Sequence, residues 1–287
     1  MFEISDKKKA ILAHDGHLLV KGGPGSGKTT ISIVKADNLV STLRPGQKIL
    51  FLSFARATVA RVVEALDEHS QNKAQTRSRI EVDTYHAFFW RLLKTHGYLV
   101  GLPRTLAILT PPTQAIALSP IRHEFGSLKK LNDAQKAVKV ARERAELRRL
   151  AFEEGRVCFD LFADLVAPIL TGSTKLRKLV SSGYPVIVLD EFQDTNTGQW
   201  LVVQQLGIGS TLIALADEGQ RIYDFIGADP ERLNHFKYSF NPAEFDLGNE
   251  NHRSSGTDII RFGDDLLTGT ISGRYRGMVL HRFPANQ

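Results

Sequence analysis

Five short aliphatic runs punctuate this chain, apolar nearly throughout rather than alternating with polar residues: Leu18-Leu19-Val20, Ile49-Leu50-Phe51-Leu52, Ile80-Glu81-Val82, Val186-Ile187-Val188-Leu189 and Leu212-Ile213-Ala214-Leu215. A strand that is apolar on both faces must be covered on both faces, which is the signature of a parallel sheet. Each of the first four is followed by a turn or an acidic residue and then by a helix-like stretch. Strand–helix alternation of that kind predicts an α/β fold with helices on both sides of the sheet.

The alternation breaks twice. Residues 101–155 hold Pro103, Pro111, Pro112 and Pro120, followed by a basic, helix-favouring run over 129–154, and read as a mostly helical insertion. A second break falls at Asn241-Pro242, after which residues 244–247 suggest another strand and 256–267 another helix. The expected division is therefore an α/β domain over 1–100 and 156–240, an insertion over 101–155, and the beginning of a second domain over 241–287. Neither an internal repeat nor a low-complexity tract is present.

Composition narrows the class. At 287 residues, 42% apolar and 24% charged, the chain matches a soluble globular protein, and no apolar run approaches the ~20 residues of a membrane span. One cysteine, Cys158, rules out an intrachain disulfide and suggests a reducing, cytoplasmic setting. The net charge is +6, and residues 126–156 alone hold nine Lys or Arg against five Asp or Glu. A basic stripe is the expected footprint of a polyanionic partner. Within it Lys139, Arg142 and Arg149 are candidate phosphate contacts.

Three patterns carry chemistry. Gly22-Gly23-Pro24-Gly25-Ser26-Gly27-Lys28-Thr29 fits the P-loop pattern between the first strand and a helical run, and Thr30 follows it. Glycines let the backbone N–H groups wrap phosphates, and a helix N-terminus adds positive potential. Lys28 would reach the β- and γ-phosphates of ATP, and the Thr29 hydroxyl would bind Mg2+. Leu189-Asp190-Glu191-Phe192-Gln193-Asp194 closes the fourth run. There Asp190 can hold Mg2+ opposite Thr29, and Glu191 can orient or deprotonate the attacking water. Gln220, in the segment closing the fifth run, can sense the γ-phosphate because an amide both donates and accepts.

These residues resemble the superfamily 1 DNA helicases of the UvrD/Rep type. Asp190-Glu191-Phe192-Gln193-Asp194-Thr195 is similar to that family's D-E-[FY]-Q-D-[TS] signature, and residues 220–228, Gln-Arg-Ile-Tyr-Asp-Phe-Ile-Gly-Ala, to its Q-S-I-Y-x-[FW]-R-G-A. Thr84-Tyr85-His86-Ala87-Phe88 resembles T-F-H-S-F, Ser53-Phe54-Ala55-Arg56-Ala57 resembles T-F-T-N-K, and residues 247–254 resemble L-x-x-N-Y-R-S.

The resemblance implies a RecA-like P-loop core, the start of a second RecA-like domain, and ATP-driven movement on single-stranded DNA in the 3′ to 5′ direction, with the basic stripe meeting the duplex of a forked DNA. It implies that Arg253 approaches the γ-phosphate from the second domain, that His252 stacks on the base of ATP, and that Phe54, His86, Tyr223 and Phe225 line the strand's channel. Base stacking on such rings contributes ~1–3 kcal/mol whatever the base. Departures are specific. Lys7 stands where the family has an adenine-reading glutamine, His252 replaces a tyrosine, Ile226 an arginine, and Arg56-Ala57 the pair N-K. The later family motifs have no counterpart, so a further domain or a partner chain is expected to complete the ATP cleft. The rival reading is a nucleotide-binding or regulatory module without motor action.

Overall fold

The computed structural model describes residues 5–54, 59–60, 62–64, 66, 73–127, 131–217, 229–248, 257–271 and 274–277. In chain order these form α1 (Asp6–Ala13), β1 (Leu18–Lys21), α2 (Lys28–Val40), β2 (Ile49–Ser53), α3 (Lys73–Arg79), β3 (Ile80–Thr84) and α4 (Tyr85–His96). There follow β4 (Ala107–Leu109), α5 (Pro111–Ala117), α6 (Ser119–Phe125), α7 (Asp133–Glu154), β5 (Arg156–Cys158), α8 (Phe162–Gly172) and α9 (Thr174–Gly183). The last elements are β6 (Val186–Leu189), α10 (Thr197–Gly207), β7 (Thr211–Ala216), α11 (Arg232–Phe240), β8 (Ala243–Asp246) and α12 (Ile259–Thr268).

Six strands make one sheet in the order β3-β2-β6-β7-β1-β8, and every neighbouring pair is parallel. All five aliphatic runs are strands, and their side chains sort by parity onto two cores, as the period of two along a strand requires. Leu19, Leu50, Leu52, Ile187, Leu189, Leu212 and Ala214 face α4, α8 and α10. Leu18, Val20, Ile49, Phe51, Val188, Ile213 and Leu215 face Ile11 of α1 and Ile31, Ile33 and Ala36 of α2.

The strand after Asn241-Pro242 does not open a second sheet. Its residues pair in register with the first strand, Leu18 opposite Ala243 through Lys21 opposite Asp246, so β8 is the sixth strand of the same sheet. The first domain therefore extends beyond the boundary expected at 241. Asn241, in the left-handed region at φ 42°, ends α11 and returns the chain to this edge. Beyond it, α12 folds back on its own following loop, with Phe262 edge-on to Tyr275 and the Tyr275 hydroxyl donating to Asp265. Ile259 and Leu266 of α12 are about half exposed.

The insertion is helical with one addition: β4 and β5 pair in parallel at its base, Ala107 opposite Arg156 through Leu109 opposite Cys158. Its long helix α7 starts at an Asn132–Gln135 capping box and ends at Gly155 in the left-handed conformation (φ 68°). Leu109, Leu118, Leu147, Leu150 and Val157 join the same core as α4 and α8, so the insertion is packed onto the sheet domain.

Gly155 is doubly constrained, because a Cβ there would overlap the Thr105 carbonyl oxygen while the glycine's own carbonyl accepts from the Ala107 amide at 2.8 Å. Gly155→Ala is expected to destabilise the fold by about 2 kcal/mol, from left-handed strain plus overpacking. Urea unfolding is the check; a change below a few tenths would mean that the junction yields freely.

Candidate nucleotide site

The site forms where parallel strands end side by side. Lys21 is the last residue of β1 and lies opposite Ala216, the last of β7. The next residues, Gly22 and Asp217, therefore emerge together, with the Gly22 amide donating to the Ala216 carbonyl at 3.2 Å. On the other side of β7, the Asp190 amide past β6 donates to Leu52 of β2 at 2.8 Å. The loop from β1 then turns back on two left-handed glycines, Gly25 (φ 74°) and Gly27 (φ 89°), and Gly27 caps the start of α2. Only a residue without a Cβ adopts these values cheaply.

Gly22 and Gly23 are buried, and the Gly23 amide donates to the Gly248 carbonyl at 3.0 Å. Pro24 is exposed and Gly25 half-buried; Thr29 and Thr30 are half-buried in the first turn of α2. Lys28 folds back over the loop, donating to the Gly22 and Gly23 carbonyls at 2.5 and 3.1 Å and standing 3.9 Å from the Asp217 carboxylate. The buried Ser26 hydroxyl has no hydrogen-bond partner among the described residues. A glycine-rich loop that opens a helix N-terminus, a lysine folded over it and a buried hydroxyl without a partner make a cradle suited to phosphate.

The acidic side is equally specific. The Ser53 hydroxyl donates to Asp190 Oδ2 at 3.2 Å. Burial, and next the neighbouring Glu191, push the Asp190 carboxyl up to about 6, against the opposing pull of Ser53 and Lys28. Glu191 itself sits at φ 49°, a conformation costly for a residue with a side chain and characteristic of functional turns. Gln193 holds the turn together: its amide nitrogen donates to Glu191 at 2.9 Å and its oxygen accepts from the Asp217 amide at 3.1 Å. Among the described residues no three His, Cys, Asp or Glu cluster as a metal site of their own. Mg2+ typically takes one or two protein ligands and completes its shell with phosphate and water, so Asp190 with Thr29 fits that pattern.

Sequence reading missed Gln193, Asp217 and Ser53. Asp217 carried the same signal as Asp190, an acid directly after a buried strand. Gln220, Tyr223, Phe225, His252 and Arg253 lie outside the described residues, as do Arg56, Ala57 and Ile226. Lys7, at the position of the adenine-reading glutamine, donates to the Asp246 carbonyl at 3.0 Å and so ties α1 to the end of β8.

Phe54 and His86 are half-buried. The Phe54 ring lies 4.8 Å from Tyr85, and His86 meets Phe159 and Phe162 edge-on at 5.7 and 6.1 Å. Burial lowers the His86 pKa against the pull of Asp160, which favours a neutral ring.

The basic stripe is corrected in part. Lys139 is only 7% exposed and is not displayed for a phosphate. Arg142 pairs with Glu124 of α6 at 2.5 Å and covers the Phe125 ring, while Arg149 is held by Glu146, Glu153 and Glu154. Tertiary and i,i+3 or i,i+4 carboxylate partners take up part of this charge, which a count of basic residues along the chain does not show.

The family model for the UvrD/REP helicase N-terminal domain matches residues 5–154 and 128–241, together well over half of the chain. The chain belongs to this family. Among its relatives, YjcD of Bacillus subtilis is 25% identical over 94% of this chain and 39% of its own length. The ATP-dependent DNA helicase PcrA of Leuconostoc citreum is 24% identical over 86% of this chain and 36% of its own length. The chain thus spans about two-fifths of these relatives. Pif1 helicase from Candida albicans aligns over 93% of this chain and 44% of its own at 13% identity and a TM-score of 0.43, too loose a likeness to add to the topology.

Asp190 generates a pH signature. Its carboxyl holds its proton more tightly folded (about 6) than at the ordinary value of 3.8, so it removes stability as pH rises between those two values. Asp190→Asn should flatten the metal-free stability curve across that window, where wild type loses at most about 3 kcal/mol. Chemical unfolding at a series of pH values measures it; equal slopes in both proteins would contradict the buried, protonated carboxyl.

Proposed function

We propose that this chain is the ATP-binding half of a DNA helicase motor, which couples Mg·ATP hydrolysis to movement along single-stranded DNA. The observation that carries the proposal is the convergence of Lys28, the first residue of α2 after the glycine loop, with Asp190 and Asp217, which directly follow β6 and β7. The names of the relatives and the excess of basic residues support DNA as the track.

In this reading the loop amides and Lys28 bind the β- and γ-phosphates, exchanging the lysine's present carbonyl partners for phosphate oxygens. Thr29 and Asp190 hold Mg2+, which supplies charge neutralisation at the phosphates. The Ser53 hydroxyl and the Lys28 ammonium favour the ionised form of Asp190. Glu191, fixed by its left-handed turn and by Gln193, accepts the proton of the attacking water. Gln220 and Arg253, assigned from sequence, would sense the γ-phosphate and stabilise its developing charge.

Phe54 and His86 are proposed to border the strand's path, His86 offering a neutral ring face to a base. The 3′ to 5′ direction follows the family resemblance. A second domain, carried by a longer chain or by a partner, would close the cleft. Lys7 is engaged with the Asp246 carbonyl instead of reading a base edge, which suits loose discrimination between ATP and GTP.

Glu191→Gln should keep Mg·ATP affinity and slow hydrolysis on the order of a hundredfold or more, since general-base assistance contributes ~10²–10⁴. Turnover is measured with and without single-stranded DNA. Unchanged hydrolysis in Glu191→Gln would remove Glu191 as the base. Hydrolysis that stays indifferent to DNA with the second domain present would favour a nucleotide-binding module over a motor.

A further inference from the structure

On the far side of the Glu191 turn, away from the P-loop, sits a buried arginine that the nucleotide chemistry does not use. Arg232 opens α11 and is 1% exposed. Its Nε donates to the Thr195 carbonyl at 3.1 Å, its guanidinium lies 5.1 Å from the centre of the Trp200 ring, and Nη2 stands 3.4 Å from Asp229. The His235 ring stacks near the same indole and pairs with Asp229 at 3.2 Å. Burying a guanidinium is expensive unless its donors are used, and among the described residues neither Nη atom has a hydrogen-bond partner. An apolar side chain of the same length would fill this space more cheaply. It could neither pair with Asp229 nor grip the Thr195 carbonyl, and of these two contacts only the second reaches the Glu191 turn.

Thr195 is the end of the turn that begins at Glu191. The Asp194 amide donates to the Glu191 carbonyl at 3.0 Å, and the Thr195 amide and hydroxyl donate to the Phe192 carbonyl at 3.2 and 2.9 Å. Phe192 is itself wedged against Phe236 of α11 and Trp200 of α10. A left-handed glutamate persists only when its surroundings over-determine it. Gln193 constrains that conformation from the nucleotide side, and Arg232 constrains it from behind.

We propose that Arg232 is a positioning residue for ATP hydrolysis, clamping Thr195 so that the strained turn holds Glu191 in place, and that Trp200 reports the state of this clamp. The proposal rests on the ATP-hydrolysing reading given above. Misplacing a catalytic group by about 1 Å costs on the order of a hundredfold. Arg232→Gln, which lacks the guanidinium, and Arg232→Lys, which keeps a charge but lacks Nε–H and the planar face, should therefore both lower turnover at least about tenfold. Mg·ATP affinity should stay within about twofold of wild type in both, because neither side chain touches the phosphate cradle.

The second readout needs no turnover. Trp90 and Trp200 are the only tryptophans, so a Trp90→Phe background isolates the indole under Arg232. Mg2+ with AMP-PNP should change Trp200 emission in that background and leave it unchanged once Arg232→Gln or Arg232→Lys is added. Turnover equal to wild type in both variants overturns the proposal. So does loss of nucleotide binding along with turnover, since that makes Arg232 a residue of the fold alone. If the parent binds Mg·ATP without hydrolysing it, the hydrolytic reading falls separately. The emission change then decides the clamp: present in the parent and lost in the variants supports it, and present in all three overturns it.

Discussion

Parallel, in-register strand pairing is the constraint from which the rest of the structure follows. Because β1, β6 and β7 all run the same way, Gly22, Asp190 and Asp217 leave the sheet at one edge. An antiparallel β7 would carry Asp217 to the opposite edge, some 13–20 Å away for strands of four to six residues. The Lys28–Asp217 approach of 3.9 Å and the electrostatic reach of Lys28 to Asp190 are consequences of topology before they are consequences of side-chain choice. The apolar runs that make the strands are thus the first cause of the site.

The edge is costly to maintain, and its cost is visible in three places. Asp190 is buried enough to resist ionisation, Ser26 has a buried hydroxyl without a partner among the described residues, and Glu191 has a left-handed backbone. Each is a local penalty that a cation, a phosphate or a positioned water would relieve. Penalties of this kind gathered at one end of the strands mark a site suited to a ligand. The aromatic layer of Phe192, Trp200 and Phe236 behind the turn supplies the rigidity that such strain requires.

Most of this edge was legible in the sequence. Buried parallel strands are uniformly apolar, so local composition alone located five of the six strands of the main sheet. The P-loop and the Asp190-Glu191 pair are local motifs whose spacing is their meaning. The sixth strand, Ala243-Glu244-Phe245-Asp246, pairs parallel to β1 at the sheet's outer edge, where one side meets solvent and the pattern alternates. Its sequence could show a strand but not which sheet it joins. Lys139 misled for a related reason: a charge run records residue types, while its burial, like the pairing of the exposed Arg142 with Glu124, depends on how α7 packs. Gln193 was quoted within its motif, but its bridge from Glu191 to Asp217 spans two strands and had no local signature.

The central claim is that this strand edge is a single Mg·ATP site organised around Lys28. Calorimetric titration of the chain with ATP tests it without requiring hydrolysis or DNA. One nucleotide per chain, binding that depends on Mg2+, and a loss of affinity in Lys28→Ala are the predicted results. Binding of equal strength in Lys28→Ala, or none in the wild-type chain, would contradict the account.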